Sequence, residues 1–343
     1  AFHREHALTS IIAVDEQTSL LAAKASESLG LRHNSFESVQ TASNKSLFRH
    51  CIRSAGLPSP AFKIISPGQE VIALASATDY PCVLKPVSRS ASQGVIRADN
   101  PTGFRSAYGR IAKLVPGEDI IVEDFLLGQE VSLEGILVNG LLNTLAIFDK
   151  PEPLDGPYFE ETIYVTPSRH NDEVQASIHR IVEEAAAAIG LKEGPIHAEL
   201  RVCPSETFVN EKGPWLIELA ARSIGGLCSR SLTFQDGRSL EELLISHALE
   251  QPIGNSQREQ RASGVMMIPI PEAGILKNVD GELEARAVKH INDLEISIRN
   301  GQRLIPLPDG NQYLGFIFAK AETPKEVEAA LRDAHGHLKF EIH

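Results

Sequence analysis

The chain has 343 residues, 42% of them hydrophobic and 23% charged, with a formal net charge of −12. That length exceeds one simple core and suggests two or three packed units of ordinary globular composition. The acidic balance argues against a nucleic-acid surface, and no apolar run approaches the ~20 residues that cross a bilayer.

Four scattered cysteines, Cys51, Cys82, Cys203 and Cys228, form no C-x-x-C pair, which favours reduced thiols and a cytoplasmic setting. The first residues hold no signal-peptide core. The chain starts at Ala1 and almost at once enters a strand-like run, so a preceding segment is expected to be missing from it. Residues 11–14 read as a buried strand ending at Asp15, and 19–29 as a helix closed by Gly30. Ser43 is expected to cap a helix through Ala55, with Leu47, Phe48, Cys51 and Ile52 on one face. Leu57-Pro58-Ser59-Pro60 forces an extended linker.

Residues 82–85 read as a strand, 88–94 as a loop of small polar residues, 102–114 as a helix and 120–123 as a strand. Residues 129–138 and 141–148 flank Asn139-Gly140, the strongest hairpin signal in the chain. Residues 172–189 carry an apolar stripe of Val174, Ile178, Ile181, Val182, Ala185 and Ile189, with Gly190 after it. Strands follow at 196–202 and 215–220, a helix at 240–249, and strands at 264–270, 295–299 and 314–319. Thr323-Pro324-Lys325-Glu326 is a capping box that opens a helix to about residue 335, and 338–342 reads as a last strand.

Three clusters carry chemistry. Lys85 ends an apolar strand directly before Ser88-Arg89-Ser90-Ala91-Ser92-Gln93-Gly94. A lysine there can reach a cleft while loop N–H groups donate to phosphate oxygens. The loop is not G-x-x-x-x-G-K-[ST], so it is no P-loop, and a surface lysine is the plainer alternative. At Glu123-Asp124-Phe125 and Gly128-Gln129-Glu130 a strand leaves a small lobe, turns and returns. Backbone groups there could read adenine while Glu130 accepts from ribose; on spacing alone a solvated acidic hairpin is the better account. Glu199 and Glu218 each interrupt a run that otherwise reads as buried sheet, where an uncompensated carboxylate is costly. If the strands pair, both carboxylates can share a hard divalent cation. Arg222 and Gly225-Gly226 follow at once, giving a guanidinium fork and an open backbone; a structural Glu–Arg ion pair is the alternative. His170 and His197 read as packed or surface histidines.

In this order and spacing the pieces resemble the ATP-grasp superfamily, from Asn44 to Arg230. The resemblance implies an α/β and α+β fold, an ATP-grasp fold with two lobes clamping ATP, preceded by a partial N-terminal doubly wound βα domain. It assigns residues 1–42 to a remnant of that domain, 43–78 to linker helices, 79–150 to the lid lobe and 151–343 to the large lobe with a C-terminal α+β extension. It makes Lys45 and Lys85 the nucleotide lysines, and puts Ser90, Ser92 and Gly94 in the loop over the phosphates. Glu123, Asp124 and Phe125 become the adenine hinge and Glu130 the ribose acid. Glu199 and Glu218 become ligands of Mg²⁺ or Mn²⁺, and Arg222 with Glu218 the catalytic pair.

Many members carry Glu-x-Asn at the second metal strand; here Ala220 stands in place of the asparagine, and residues 218–222 are similar to the L-amino-acid ligase branch. Asp149-Lys150-Pro151 and the run from Gly156 to Glu161 look like that branch's substrate-proximal segments, with Tyr158 and Phe159 as candidate pocket residues. Arg222, Ser229 and Arg230 are candidates for a substrate carboxylate. The implied activity is ATP-dependent ligation of a small-molecule carboxylate to an amine through an acyl phosphate, with a homodimer as the default assembly. Carboxylase chemistry of the biotin-carboxylase or purine-pathway kind is the alternative, weakened by the absence of Glu-His-Pro after Arg222 and of Met-Lys-Met. A non-catalytic nucleotide-binding subunit is the other.

Overall fold

The computed structural model describes residues 2–204, 212–254 and 256–343. The chain opens with α1 (Phe2–Glu5), α2 (Glu16–Leu29), α3 (Phe36–Ser43) and α4 (Lys45–Ser54). Asp15 caps α2 by accepting from the Thr18 N–H at 2.8 Å, and Gly30 ends it at φ 65°. The strand expected at 11–14 does not form. No strand of the described residues pairs with it, and Ile12 and Val14 are 40% and 75% exposed. An apolar run becomes a strand only beside a partner, so this part contributes helices rather than a βα unit. The cap of α4 is Asn44, not Ser43. Ser43 is the last residue of α3, a helix the sequence reading passes over, and the Asn44 Oδ1 accepts from Ser46 and Leu47 N–H at 3.0 Å each.

The small lobe comprises β1 (Phe62–Ile65), α5 (Val71–Ser76), β2 (Cys82–Pro86), β3 (Ile96–Ala98), α6 (Pro101–Leu114) and β4 (Ile120–Asp124). Its antiparallel sheet has the order β1-β4-β2-β3, and Leu84, Ile120 and Val122 pack against Phe104 and Ile111 of α6. The linker assigned to 43–78 therefore already contains one strand of this sheet.

The rest of the chain runs β5 (Gln129–Val138), β6 (Leu141–Asp149), β7 (Ile163–Thr166), α7 (Asp172–Ile189), β8 (Gly194–Cys203) and β9 (Gly213–Ala220). It continues with α8 (Leu240–Ala248), β10 (Ala262–Ile268), β11 (Gly274–Asp280), α9 (Glu282–Ala287), β12 (Ile291–Ile296), β13 (Arg303–Leu304), β14 (Gly315–Ala321), α10 (Pro324–His337) and β15 (Lys339–Ile342). Eight strands form one sheet in the order β12-β14-β10-β7-β6-β5-β8-β9, and β13-β11-β15 form a third. The Asn139-Gly140 hairpin forms as expected, with both residues at positive φ, 53° and 85°. It does not belong to the lid, as a boundary at 150 requires. Its β5 pairs with β8 from Gln129 to Leu137, which fixes the hairpin in the eight-stranded sheet.

Helix α7 spans the expected residues, ends at Gly190 with φ 83°, and buries Ile178, Ile181, Val182 and Ile189 in a core shared with α4 and β8. Each such side chain contributes roughly 1.5–3 kcal/mol by leaving water, so burial outweighs local propensity in holding α7. The last helix carries its capping box at Thr323 and Glu326. No helix of the described residues is long and apolar enough to cross a membrane.

Candidate active site

A cleft of about 320 Å³ is lined by both lobes, by α2 and α4, and by the C-terminal part. On one side, β2 delivers Lys85, buried with its Nζ 2.6 Å from Glu123 Oε2. Glu123 is also held by Arg49, whose Nε and Nη2 donate to it at 2.7 and 3.2 Å. Arg49 donates in addition to the Ile217 carbonyl at 2.6 Å, tying β4 to β9 through α4. Burial alone would raise the Glu123 carboxyl, but Arg49 and Lys85 outweigh it and bring it to about 2. Burial lowers the Lys85 ammonium, against the pull of Glu123.

Phe125, Asp124 and Leu126 line the cleft beside this pair. The guanidinium groups of Arg97 and Arg201 lie over the Phe125 ring, 4.3 and 4.9 Å from its centroid. Lys45 bridges two parts of the site: its Nζ donates to the Arg89 carbonyl at 2.6 Å and sits 3.1 Å from Glu218 Oε2. Ser90 and Ser92 face the cleft. Gly94 does not. It closes the loop at φ 75°, its N–H donates to the Pro308 carbonyl at 2.9 Å, and a Cβ there would meet Leu114 at 3.0 Å.

Glu199 and Glu218 are direct register partners on β8 and β9, with a bulge immediately after Glu199. Opposite residues of an antiparallel pair share a face, which puts both carboxylates into the cleft. One oxygen of each is engaged: Glu199 Oε1 by Lys150 at 2.9 Å and His197 Nε2 at 3.6 Å, Glu218 Oε2 by Lys45. Glu199 Oε2 and Glu218 Oε1 have no partner among the described residues. Two hard oxygen donors left over on facing strands fit a divalent cation such as Mg²⁺. Burial acts to raise the Glu199 carboxyl, but Lys150 and His197 hold it well below the ordinary range. Lys45 lowers the Glu218 carboxyl against burial and the charge of Glu199. The position of the absent asparagine, Ala220, is buried opposite His197.

Sequence reasoning missed several residues of the cleft. His197 is packed, as expected, but it also links the site: its Nδ1 lies 3.2 Å from Glu134 Oε2, and both Glu134 oxygens accept from the Ile224 N–H at 3.1 Å. Burial lowers the His197 imidazole, yet its bonds to Glu134 and Glu199 raise it to about 9. Glu130 is less available than a ribose acid should be. Lys150 holds its Oε1 at 2.8 Å and Arg201 its Oε2 at 3.2 Å. Glu161, bonded by Lys150 and by the Tyr164 hydroxyl at 2.6 Å, is pushed up to about 7 by burial and by the charge of Glu199. Glu134 and Lys150 lie in or directly after runs that otherwise read as buried strand, the same signal that singled out Glu199 and Glu218.

Arg222 lines the cleft with its Nε 3.0 Å from Glu16 Oε2 on α2. Beyond it the wall turns apolar, with Ile224, Tyr164, Cys228, Met267 and Tyr313. Ser229 and Arg230 are not part of the lining. Arg230 pairs with Asp293 and, at 2.8 Å, with Glu295, and lies over Phe318, so it braces the C-terminal strands. Phe159 faces the cleft, whereas Tyr158 turns away and accepts from Arg110 at 2.9 Å.

Residues 78–231 match the family description "ATP-grasp domain", and residues 266–343 match "L-amino acid ligase C-terminal domain 2". The alanine–anticapsin ligase of Bacillus subtilis is 25% identical over 245 residues, 65% of this chain and 50% of the relative. The chain thus spans about half the length of that curated relative. The crystal structure of an L-amino acid ligase from Bacillus licheniformis superposes with a TM-score of 0.81 at 26% identity, covering 99% of this chain and 82% of that one. The biotin carboxylase domain of 2-oxoglutarate carboxylase from Hydrogenobacter thermophilus, described in complex with MgADP and bicarbonate, shares the fold at TM-score 0.71 and 16% identity, over 99% of this chain and 76% of that one.

Proposed function

We propose, from the match of residues 78–231 to an ATP-grasp domain and of residues 266–343 to an L-amino acid ligase C-terminal domain, that the chain joins a carboxylate to an amine at the expense of ATP, through an acyl phosphate. The observation that carries the reading is the facing pair Glu199 and Glu218, each with one oxygen pinned by a lysine and one left for a cation. When bound, Mg²⁺ or Mn²⁺ would supply charge neutralisation at the β- and γ-phosphates. Lys45, Lys85 and the loop with Ser90 and Ser92 hold the nucleotide and exclude water, while Glu123, Asp124 and Phe125 flank the base. Arg222 stabilises the phosphoryl group in flight to the substrate carboxylate. The amine then attacks the acyl carbon and phosphate leaves. In this reading Arg222 and Glu218 carry the catalytic roles.

The apolar wall of Tyr164, Cys228, Met267 and Tyr313, with the Glu161 carboxylate beside it, suits an amino acid with an apolar side chain as the activated acid. Small-molecule substrates, a cytoplasmic setting consistent with the free thiols, and a homodimer complete the reading. Phosphate release with ATP, Mg²⁺ and a panel of amino-acid pairs tests it. Turnover should require the pair, and Glu218→Gln should lower it at least ~100-fold with the thermal melt preserved. Stimulation by bicarbonate alone, or full activity in that variant, would overturn the assignment.

A further inference from the structure

Lys150 follows the last residue of β6, and its side chain is almost completely enclosed. An ammonium carries three N–H donors and accepts nothing. All three are used on different carboxylates: Glu130 Oε1 at 2.8 Å, Glu161 Oε1 at 2.5 Å and Glu199 Oε1 at 2.9 Å. The Tyr164 ring closes the cage with its centroid 4.9 Å from Nζ. The carboxylate oxygens of this trio lie within 4.8 Å of one another, the spacing at which three such groups can share a metal ion. Three acidic groups so close cannot stay ionised in a buried site without a cation among them. Here that cation is a side chain, which can neither leave nor exchange.

The other charges around the cluster do not replace it. Arg201 reaches only Glu130, and His197 only Glu199 within this trio, while Lys45 bonds Glu218, which lies outside it. Glu199 belongs to both groups. Its Oε1 is the oxygen that Lys150 holds, and its register partner across β8 and β9 is Glu218.

We propose that Lys150 is a positioning residue for the metal site: its fixed ammonium fills a carboxylate triad that would otherwise take a divalent cation, and so confines that cation to Glu199 and Glu218. One side chain thereby aligns the acid beside the nucleotide, Glu130, the acid beside the apolar wall, Glu161, and the metal ligand Glu199. A divalent ion lodged in the triad would bridge Glu130 and Glu161 instead of serving the phosphates. The inference rests on the Mg·ATP reading above, and its test is arranged to fail separately from that reading.

The experiment is an Mn²⁺ titration by electron paramagnetic resonance on the whole chain without nucleotide. Lys150→Met should bind one Mn²⁺ more than wild type does. Lys150→Arg, which keeps a cation in place, should not. The gain should survive when Glu218→Gln is added and disappear when Glu161→Gln is added. Those two arms separate the triad from the assigned metal pair, since loss of the Glu199–Glu218 reading leaves the triad's behaviour untouched. Lys150→Gln serves as a second uncharged variant, and circular dichroism reports folding. A folded Lys150→Met that binds Mn²⁺ as wild type does, or equal gains in Lys150→Met and Lys150→Arg, would overturn the proposal. Unfolding of both uncharged variants beside a folded Lys150→Arg would assign Lys150 to stability alone and overturn it as well.

Discussion

At the scale of single residues, the site is a set of buried carboxylates held by cationic side chains, with Lys150 alone serving three of them. Glu123 with Arg49 and Lys85 is the most enclosed set, at 4%, 1% and 5% exposure. Its carboxyl falls from an ordinary 4.5 to about 2 in the folded chain. A depressed carboxyl stabilises the fold above its unfolded value, and that contribution is lost as pH falls from about 4.5 through about 2. Arg49→Met should therefore destabilise by ~3–5 kcal/mol at neutral pH, since it leaves a buried charge short of a partner. It should also flatten the acid side of the stability profile over that window. Urea unfolding of both proteins across that pH range checks this; parallel profiles would contradict the pairing. Glu199 and Glu218 were legible in the sequence because each is a carboxylate inside an apolar run. Arg49 was not, since a charged residue on an amphipathic helix reads as solvated until β4 and β9 are placed against it. Glu130 was found, but its engagement by Lys150 and Arg201 was not legible, because it depends on a β5–β6 and β5–β8 register that no local pattern reveals.

At the scale of elements, signals that act within a few residues carried over into structure. The Asn139-Gly140 turn, Gly190 after α7 and the Thr323 capping box formed as their local chemistry requires. Elements whose existence depends on partners were lost or displaced. Residues 11–14 form no strand because nothing pairs with them among the described residues, and β1, β3 and β13 are too short to show a period. The strand expected at 295–299 lies at Ile291–Ile296, where β14 sets the register. In the proposed reading the junction of α3 and α4 bears on nucleotide binding, since its capping residue directly precedes Lys45. Asn44→Ala removes an acceptor for two N–H groups and should cost ~0.5–2 kcal/mol, readable as a lower urea midpoint at unchanged slope. Weaker nucleotide binding should accompany it, because Lys45 is held both by that turn and by Arg89. An unchanged midpoint would show that the cap is dispensable.

At the scale of the whole molecule, the C-terminal part is tied to the small lobe. Asp309 accepts from Arg110 of α6 through both oxygens at 2.9 and 2.8 Å, and its carbonyl accepts from Gln93 at 2.7 Å. Both partners of the ion pair are about half exposed, so it is worth at most ~1 kcal/mol. Asp309→Ala should then leave the melting temperature nearly unchanged while speeding ADP release up to ~5-fold, as stopped-flow with a fluorescent nucleotide would show. Unaltered release would mean that the lid does not swing against this contact. Activation of a carboxylate by ATP as an acyl phosphate between these lobes has one direct test. Turnover with ¹⁸O-carboxylate amino acids, followed by mass spectrometry of the products, should yield ADP and phosphate carrying one ¹⁸O. Formation of AMP, or phosphate without the label, would contradict it.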